Sequence, residues 1–246
     1  MNNNKLVSIA MATYNGEKFL HEQLDSIYNQ TYKNIEIVAT DDCSNDNTVK
    51  ILEEYKKKYG LKYYINEKRL GFKRNFERAV SLCRGKYIAF SDQDDIWASE
   101  KIETMINKIN GNSLIHSDGF IINENNKIIA DSMKEYLDLD TDMRKIESKS
   151  NIWGCTILFK SEILEKALPI PDREGYDWWF SIVASKMNGV KYLEDKLIMY
   201  RKHQNNATSR SQLRLTLTEI YKMTVRPIYM KLRTIRRYRI LRQRGL

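Results

Sequence analysis

The sequence predicts an α/β protein with a mostly parallel central sheet flanked by helices, followed by a basic helical extension. Short apolar runs alternate with amphipathic stretches at intervals of roughly 25 to 30 residues, a spacing typical of strand, helix, strand units. Polar loops follow these runs, and positive charge is concentrated late in the chain. We therefore expect one domain over residues 1–205 and a helical tail over residues 206–246.

Four apolar runs predict strands in the first part of the chain. They cover residues 6–12, 35–40, 61–65 and 86–91. Helical periodicity predicts helices over residues 17–28 and 46–59 and a third helix around Phe76, Val80 and Cys83. Because parallel strands present their carboxyl ends at one edge of a sheet, we expect the loops at 13–16, 41–45 and 92–97 to meet there.

The second part of the chain gives a less regular pattern. We expect a helix over residues 98–109, short strands at 114–116, 119–122 and 127–130, and a further strand at 155–160. Residues 123–126 predict a turn, and the polar residues 131–150 predict a mobile loop. Residues 176–187 are apolar enough for a buried helix.

Composition favours a soluble protein of the cytoplasm. Of the 246 residues, 42% are hydrophobic and 30% charged, and the mean hydropathy is -0.58. Neither a run of 18 apolar residues nor a secretory signal is visible, so we expect a cytoplasmic location. Cys43, Cys83 and Cys155 are odd in number and far apart, which predicts reduced packing residues rather than disulfides.

The net charge of +9 is carried by the tail. Nine basic residues and no acidic residue follow Glu219, namely Lys222, Arg226, Lys231, Arg233, Arg236, Arg237, Arg239, Arg242 and Arg244. An apolar stripe through Ile228, Leu232 and Ile235 accompanies them, a pattern typical of a helix on an anionic membrane surface. The alternatives are docking on the protein's own domain or on a second subunit in a homodimer. No nucleic-acid partner is expected, because few aromatic rings are available for stacking.

Three carboxylates, Asp92, Asp94 and Asp95, follow the fourth apolar run within four positions. Like charges this close raise one another's pKa, and a divalent cation relieves the repulsion. Hard oxygen ligands spaced in this way suit Mg²⁺ or Mn²⁺, which keep positions open for substrate phosphates. The alternative is that the loop caps the following helix, for which one residue suffices and Asp95 is the expected cap.

Three segments together resemble glycosyltransferase family 2. They are residues 7–15 (VSIAMATYN), 41–44 (DDCS) and 91–95 (SDQDD), in the order and spacing of that family. The resemblance spans roughly residues 5–205 and implies a single GT-A domain with a Rossmann-like sheet, a nucleotide-sugar donor, a divalent metal and, for most members, inversion at the anomeric carbon. The form DQDDIW resembles the rhamnosyltransferase-like branch, which implies dTDP-rhamnose as donor, with a UDP-sugar as the alternative.

The resemblance also implies roles for individual residues. The nucleotide-sugar-binding residues would be Ala12, Tyr14, Asp42, Arg74, Asn75 and Asp92. Asp94 and His203 would be metal ligands, and Asp177 would be the general base that deprotonates the acceptor. Trp153 and Trp178 fall where such enzymes shape the acceptor pocket.

Three of these residues also have a purely structural interpretation. Arg74 would then be a surface charge, Asp177 a buried carboxylate at the start of a helix, and Trp153 a residue of the hydrophobic core. Many family members have a Glu at the position of Tyr176. This sequence therefore has no second carboxylate beside Asp177.

The predicted function is therefore metal-dependent transfer of a sugar to a hydroxyl of a glycan or lipid-linked acceptor in polysaccharide biosynthesis, at the inner face of the plasma membrane. One alternative is a nucleotidyltransferase, which normally has a glycine-rich basic loop after its first strand, unlike residues 13–16. The other is a non-catalytic module that binds a sugar nucleotide or a membrane.

Overall fold

The computed structural model describes residues 4–139, 142, 145–147, 152–204, 206 and 226–246, with side chains in the last stretch described from Arg233 onward. The strands are β1 (Val7–Thr13), β2 (Ile35–Asp41), β3 (Lys62–Ile65), β4 (Tyr87–Ser91), β5 (Ile96–Trp97), β6 (Leu114–Ile122), β7 (Ile128–Ala130), β8 (Ile157–Lys160) and β9 (Val190–Arg201). The helices are α1 (Leu20–Tyr28), α2 (Thr48–Tyr59), α3 (Phe72–Ser81), α4 (Lys101–Ile109), α5 (Met133–Tyr136), α6 (Leu164–Ala167), α7 (Tyr176–Lys186) and α8 (Arg226–Gln243).

The strands just given form one sheet in the order β3-β2-β1-β4-β8-β6-β9-β5, with β7 beside β6. In its first half β3, β2, β1 and β4 are parallel, and Val7 pairs with both Ile35 and Tyr87. The four strands and three helices predicted for this half are confirmed, although α1 begins at Leu20 rather than at residue 17. The loops that follow β1, β2 and β4 lie at one sheet edge, as predicted.

The second half of the sheet has mixed directions. β8 is antiparallel to both β4 and β6, β9 is parallel to β6, and β5 is antiparallel to β9. The predicted hairpin of β6 and β7 is confirmed. The sequence did not predict β9, because its charged residues interrupt the apolar pattern of the buried Leu193, Leu197 and Ile198.

Residues 133–136 form α5, where a loop was predicted. Ser132 Oγ accepts a hydrogen bond from Glu135 N at 3.1 Å and caps this turn, while Ser132 Oγ in turn donates to Asp118 Oδ2 at 2.7 Å. Residues 140, 141, 143, 144 and 148–150 of the predicted mobile loop lie outside the described residues.

Two apolar layers cover the faces of the sheet. Along β1, Val7, Ile9 and Met11 point into the layer formed with α1, α2 and α4, while Ala10 points into the layer formed with α3, α6 and α7. This alternation follows from the two-residue repeat of a strand. Because both layers are buried, the polar loops at the sheet edge are held by a rigid scaffold.

The predicted tail helix is confirmed over Arg226–Gln243 as α8, whose inner face docks on the protein's own domain, while residues 207–225 of the predicted tail lie outside the described residues. Leu241 is 1% exposed and belongs to the layer that contains α7. On the outer face, Ile235 is 53% exposed and Tyr238 is 45% exposed. Among the helices of the described ranges, none has the length and apolar character needed to cross a bilayer.

Candidate active site

Gln93 joins the acidic loop to the loop after β1. Its Oε1 accepts a hydrogen bond from Tyr14 N at 2.8 Å, and its Nε2 donates to Tyr14 O at 3.0 Å. Gly16 makes room for this amide, since a Cβ there would lie 2.3 Å from Gln93 Oε1. The paired hydrogen bonds fix two of the three rim loops relative to each other.

The loop after β2 is organised by two buried aspartates. Asp41 accepts hydrogen bonds from Thr13 Oγ1 at 2.9 Å and from Ser44 N at 2.8 Å. Asp42 accepts from Asn66 Nδ2 at 2.8 Å and from the backbone N–H groups of residues 70 and 71 at 2.6 and 2.8 Å. Asp42 therefore anchors the segment that leads into α3. Its role toward a nucleotide stays a prediction.

The two predicted donor contacts on α3 have different surroundings. Asn75 is 2% exposed, and its Nδ2 donates to Thr40 O at 2.8 Å and to Thr13 O at 3.2 Å, which ties β1 to β2. Arg74 forms ion pairs with Glu77 and Asp172. Glu77 lies on α3 itself and Asp172 lies in the segment between α6 and α7, so the described contacts of Arg74 do not include the rim loops.

Ala12 and Tyr14 lie at the rim, both partly exposed. The guanidinium carbon of Arg69 is 3.8 Å from the centroid of the Tyr14 ring. This distance is typical of a cation–π contact, and it brings an exposed positive charge to the rim. The sequence offered no signal for Arg69, because it lies in a polar loop with other charged residues.

The acidic loop concentrates negative charge at the end of β4. Burial, and then the charges of Asp95, Asp94 and Asp177, raise the pKa of Asp92 well above its usual range. Burial and the charge of Asp94 raise the pKa of Asp95 to about 7. The carboxylate predicted as general base therefore lies close enough to the acidic loop for its charge to act on Asp92.

A buried lysine partly balances this charge. The Lys101 ammonium donates to Cys155 O at 2.5 Å and lies 4.1 Å from the centroid of the Trp97 ring. Burial lowers the pKa of Lys101 to about 8. Lys101 is the first residue of α4, whereas Asp95 does not cap this helix, contrary to prediction, and instead accepts a hydrogen bond from Arg201 N at 3.0 Å.

Asp92, Asp95 and Cys155 have potential metal-ligand atoms within 4.8 Å of one another. Burial raises the pKa of the Cys155 thiol well above its usual range, so the thiol stays protonated at neutral pH. A protonated thiol is a poor ligand, and the Lys101 ammonium already brings positive charge to this group. The buried Asp95 and Cys155 therefore support the site, whereas Asp92 is partly exposed.

Asp94 and His203 meet at the rim, as the sequence predicted for a metal site. Asp94 Oδ2 lies 2.7 Å from His203 Nε2, and Asn206 Nδ2 lies 3.5 Å from the same oxygen. Neighbouring ligands of a six-coordinate divalent ion are about 3 Å apart. A carboxylate oxygen with an imidazole nitrogen suits Mn²⁺ better than Mg²⁺. This pair therefore fits a divalent cation.

Arg201 holds the backbone of the acidic loop. Its side chain is 0% exposed, and its Nε donates to Asp94 O at 2.7 Å. Its Nη2 pairs with Glu22 Oε2 at 2.8 Å, and its guanidinium carbon is 4.4 Å from the centroid of the Phe19 ring. Through Arg201, β9 and α1 fix the orientation of Asp94.

Asp177 lies in the first turn of α7, where the helix N-terminus favours negative charge. Its Oδ1 accepts a hydrogen bond from Trp178 N at 2.7 Å. Burial nevertheless raises the pKa of Asp177 to about 6. Tyr176, at the position of the family's Glu, instead stacks on Phe76 with ring centroids 4.3 Å apart.

The two predicted acceptor residues differ in accessibility. Trp153 is partly exposed and makes an edge contact with the Tyr200 ring, with centroids 5.2 Å apart. Trp178 is 6% exposed, and Arg237 of α8 lies 4.2 Å from its ring centroid. Trp178 thus forms part of the contact with the tail helix, whereas Trp153 has a partly exposed ring, and the acceptor role of both residues stays a prediction.

A sequence model of the family described as Glycosyl transferase family 2 matches residues 8–168. The chain belongs to glycosyltransferase family 2. The match contains the three rim loops and the acidic cluster of this glycosyltransferase, and ends before Asp177 and His203.

The similarity to named relatives extends beyond residues 8–168. The dTDP-rhamnosyl transferase RfbG of Shigella flexneri is 33% identical over 215 residues, covering 80% of this chain and 72% of the relative. The UDP-Glc:alpha-D-GlcNAc-diphosphoundecaprenol beta-1,3-glucosyltransferase WfgD of Escherichia coli is 31% identical over 213 residues, covering 83% of this chain and 80% of the relative. Both names describe enzymes that transfer sugars from nucleotide donors.

Solved structures show that the glycosyltransferase has the GT-A fold. S. aureus TarS in complex with UDP aligns with a TM-score of 0.65 and 22% identity over 80% of this chain. Mannosyltransferase PcManGT from Pyrobaculum calidifontis, in complex with GDP-Man and Mn²⁺, aligns with a TM-score of 0.68 and 19% identity over 82% of this chain. The present chain spans 61% and 59% of those two chains, respectively.

Proposed function

We propose that this family member is a metal-dependent, inverting glycosyltransferase that moves a sugar from a nucleotide diphosphate to an acceptor hydroxyl in cell-surface polysaccharide biosynthesis. The observation that carries the proposal is the 2.7 Å separation of Asp94 Oδ2 and His203 Nε2, which lie 109 positions apart in the sequence. The two atoms are hydrogen-bonded in this structure, and a carboxylate oxygen and an imidazole nitrogen are also two of the ligand types that a divalent cation takes.

On this proposal Asp94 and His203 hold Mn²⁺ or Mg²⁺. Once bound, the cation would neutralise charge on the departing diphosphate. Asp92 lies beside the pair, near the ribose or sugar of the donor. Ala12 and Tyr14 contact the nucleotide, and Asp42 accepts an N–H of its base, since Asp42 Oδ2 accepts one described hydrogen bond, from Gly71 N, and an oxygen has two lone pairs.

The proposed general base is Asp177. A carboxylate with a pKa of about 6 is charged at neutral pH and is more basic than an ordinary aspartate, which favours proton transfer from an acceptor hydroxyl. One base suffices for a single displacement, and a single displacement inverts the anomeric carbon. This agrees with Tyr176 being packed among aromatic rings at the position of a second carboxylate.

The names of the relatives support a choice of substrates. RfbG is named for dTDP-rhamnose, and WfgD is named for UDP-glucose and a diphosphoundecaprenol-linked acceptor. We infer that the donor is dTDP-rhamnose or a UDP-sugar and that the acceptor is a glycan or a lipid-linked sugar. The partly exposed Trp153 offers an aromatic face for the acceptor ring.

A lipid-linked acceptor calls for contact with a membrane, and the outer face of α8 supplies it. This outer face consists of Ile235, Arg236, Tyr238, Arg239 and Arg242, all exposed. Three guanidinium groups around two apolar side chains complement an anionic bilayer, which attracts the charges and accepts the apolar groups at its headgroup boundary. We infer peripheral binding at the inner face of the plasma membrane.

A thermal-shift panel tests the donor and metal assignments together. dTDP-rhamnose, UDP-glucose, UDP-N-acetylglucosamine and GDP-mannose are each added with and without Mn²⁺ to the protein and to Asp94→Ala. We expect one nucleotide sugar to stabilise the protein only with Mn²⁺, by about 2.7 kcal/mol at a concentration of 100 times Kd, because it binds the native state alone. Asp94→Ala should lose this gain.

The exposed Asp131 provides a matched control, since Asp131→Ala removes a carboxylate outside the rim. Stabilisation that is the same in Asp94→Ala as in the parent protein would contradict the metal assignment. Release of pyrophosphate from a nucleoside triphosphate and a sugar 1-phosphate would instead indicate a nucleotidyltransferase.

A further inference from the structure

The tail helix α8 meets the start of α7 through four side chains, Glu174, Trp178, Arg233 and Arg237, here called the Glu174 cluster. Glu174 Oε2 accepts hydrogen bonds from Nη2 of both arginines at 2.9 Å, and its Oε1 accepts one from Arg233 Nε at 3.1 Å. Glu174 is 7% exposed and Arg237 is 2% exposed. The contact therefore belongs to the interior and is not a surface ion pair.

The Trp178 ring lies beneath both guanidinium groups. The guanidinium carbons of Arg237 and Arg233 are 4.2 and 4.8 Å from the ring centroid, within the range of cation–π attraction. At the edge of the ring, Trp178 Nε1 donates to Ile146 O at 2.5 Å, and Arg237 Nη1 donates to the next carbonyl, Glu147 O, at 2.5 Å. Three distant parts of the chain thus meet at one ring.

Such a cluster is an unfavourable way to attach a helix. Two guanidinium groups share the buried carboxylate of Glu174, and desolvation of buried charges often exceeds their mutual attraction. Arg237 Nε is also buried without a hydrogen-bond partner among the described groups. Apolar side chains attach helices without this penalty, as Leu241 does on the same helix. The cluster therefore calls for an explanation other than stability.

The Glu174 cluster surrounds Asp177 in the sequence, and we relate its arrangement to that residue. Asp177 lies between Glu174 and Trp178, both held by Arg237, and its Oδ1 accepts the Trp178 backbone N–H at 2.7 Å. We propose that Arg237 is a positioning residue for the general base, because it fixes the first turn of α7 and with it the direction of the Asp177 carboxylate. This inference rests on the proposed role of Asp177 as the base.

Variants of the full-length protein test the inference. Arg237→Gln should lower kcat about tenfold or more, because small displacements of a reacting group reduce rates steeply, while the donor KM and the donor-dependent thermal shift change less than about twofold.

Arg237→Lys should lose most of the same activity, since an ammonium cannot stack on Trp178 and bridge two acceptors as a planar guanidinium does. Arg237→Lys keeps the buried charge, so it covers the case in which Arg237→Gln does not fold. Arg84→Gln, at an exposed arginine outside α8 to which no role in the site is assigned, is the matched control and should leave kcat unchanged.

A double-mutant cycle separates positioning of the base from general loosening. If Arg237 acts through Asp177, then Arg237→Gln should have no further effect on the residual kcat of Asp177→Asn. Full additivity of the two losses, or a kcat of Arg237→Lys within about twofold of the parent protein, would overturn the inference. Unchanged turnover in Asp177→Asn alone would instead reject the proposed base, so the two failures give different results.

Discussion

Asp177 is a carboxylate whose position opposes folding. Its pKa is about 6 in the folded protein against 3.8 for an ordinary aspartate, so the folded state binds the proton more tightly. The resulting loss of folding stability is absent below pH 3.8, grows between pH 3.8 and pH 6, and is complete above pH 6. We expect Asp177→Asn to raise the free energy of unfolding by about 1 to 2 kcal/mol at pH 7.5, measured by urea denaturation.

The same substitution should lower the rate of transfer by about 10² to 10⁴-fold, because a general base contributes by this amount. In the parent protein the rate should fall as the pH drops below 6, where Asp177 takes up its proton. Donor binding with Mn²⁺, followed at the same pH values, separates loss of the base from loss of the cation. The exposed Asp131→Asn serves as a control for both measurements, and a less stable Asp177→Asn would speak against the assigned pKa.

At the scale of single residues, the sequence predicted those contacts whose residues belong to short sequence motifs. Asp94 and His203 were found from the resemblance and do converge. Gln93 and Arg201 were missed as supports, because their partners are backbone groups 79 and 107 positions away and no local pattern reports such contacts. The surroundings of Trp178 were missed for the same reason, since its covering arginines come from the tail.

The rim loops are elements whose relative position depends on the space left by Gly16. In Gly16→Ala the new Cβ would displace the Gln93 amide and break its two hydrogen bonds with Tyr14. Since Gln93 is flexible, we expect a loss of only about 1 kcal/mol in unfolding free energy. Donor affinity should fall more clearly, because Tyr14 and Asp94 lose their common support.

Gly111 offers the matched control for this prediction, since no heavy atom lies within 4 Å of a Cβ built there. Urea denaturation and donor titration of both variants give the comparison. Equal donor affinity in Gly16→Ala and Gly111→Ala would rule out a role for the Gln93 bridge in donor binding.

The elements of the parallel half were predictable because each strand is apolar throughout, as strands covered on both faces are. The second half was harder. β9 contains Lys191, Glu194, Asp195 and Lys196 on exposed or partly exposed positions, and these charged residues mask the apolar pattern of its buried residues. β5 has only two residues and exists because it pairs with β9. Its formation depends on tertiary contact, which sequence periodicity does not report.

At the scale of the whole molecule, charge composition predicted a basic tail but not how its arginines are divided. Arg233 and Arg237 face inward to Glu174, whereas Arg236, Arg239 and Arg242 are exposed. Sequence periodicity alone left open which face would be covered. The structure answers this through Leu241, which is buried against the domain.

The exposed arginines lead to a prediction about membranes. Replacing Arg236, Arg239 and Arg242 by Gln should weaken binding to vesicles of anionic phospholipid by about 10²-fold, since each charge contributes ~1 kcal/mol. Cosedimentation at low and high salt measures it. The triple variant of Lys56, Lys57 and Lys58, three exposed lysines on α2, is the charge-matched control. Equal losses in both variants would point to nonspecific attraction and count against α8 as the membrane surface.

The late position of β9 also has a consequence for synthesis on the ribosome. The strand that supports the acidic loop, β5, is hydrogen-bonded to β9, and Arg201 and His203 lie at and just beyond the end of β9. A nascent chain therefore exposes Asp94 about a hundred residues before its supports emerge, a delay of roughly 5 to 20 seconds at ordinary speeds of translation. During that interval the parallel half can form, but the contact of Asp94 with His203 cannot. Translation thus orders assembly, and the capacity to engage a sugar nucleotide arises only after the scaffold exists.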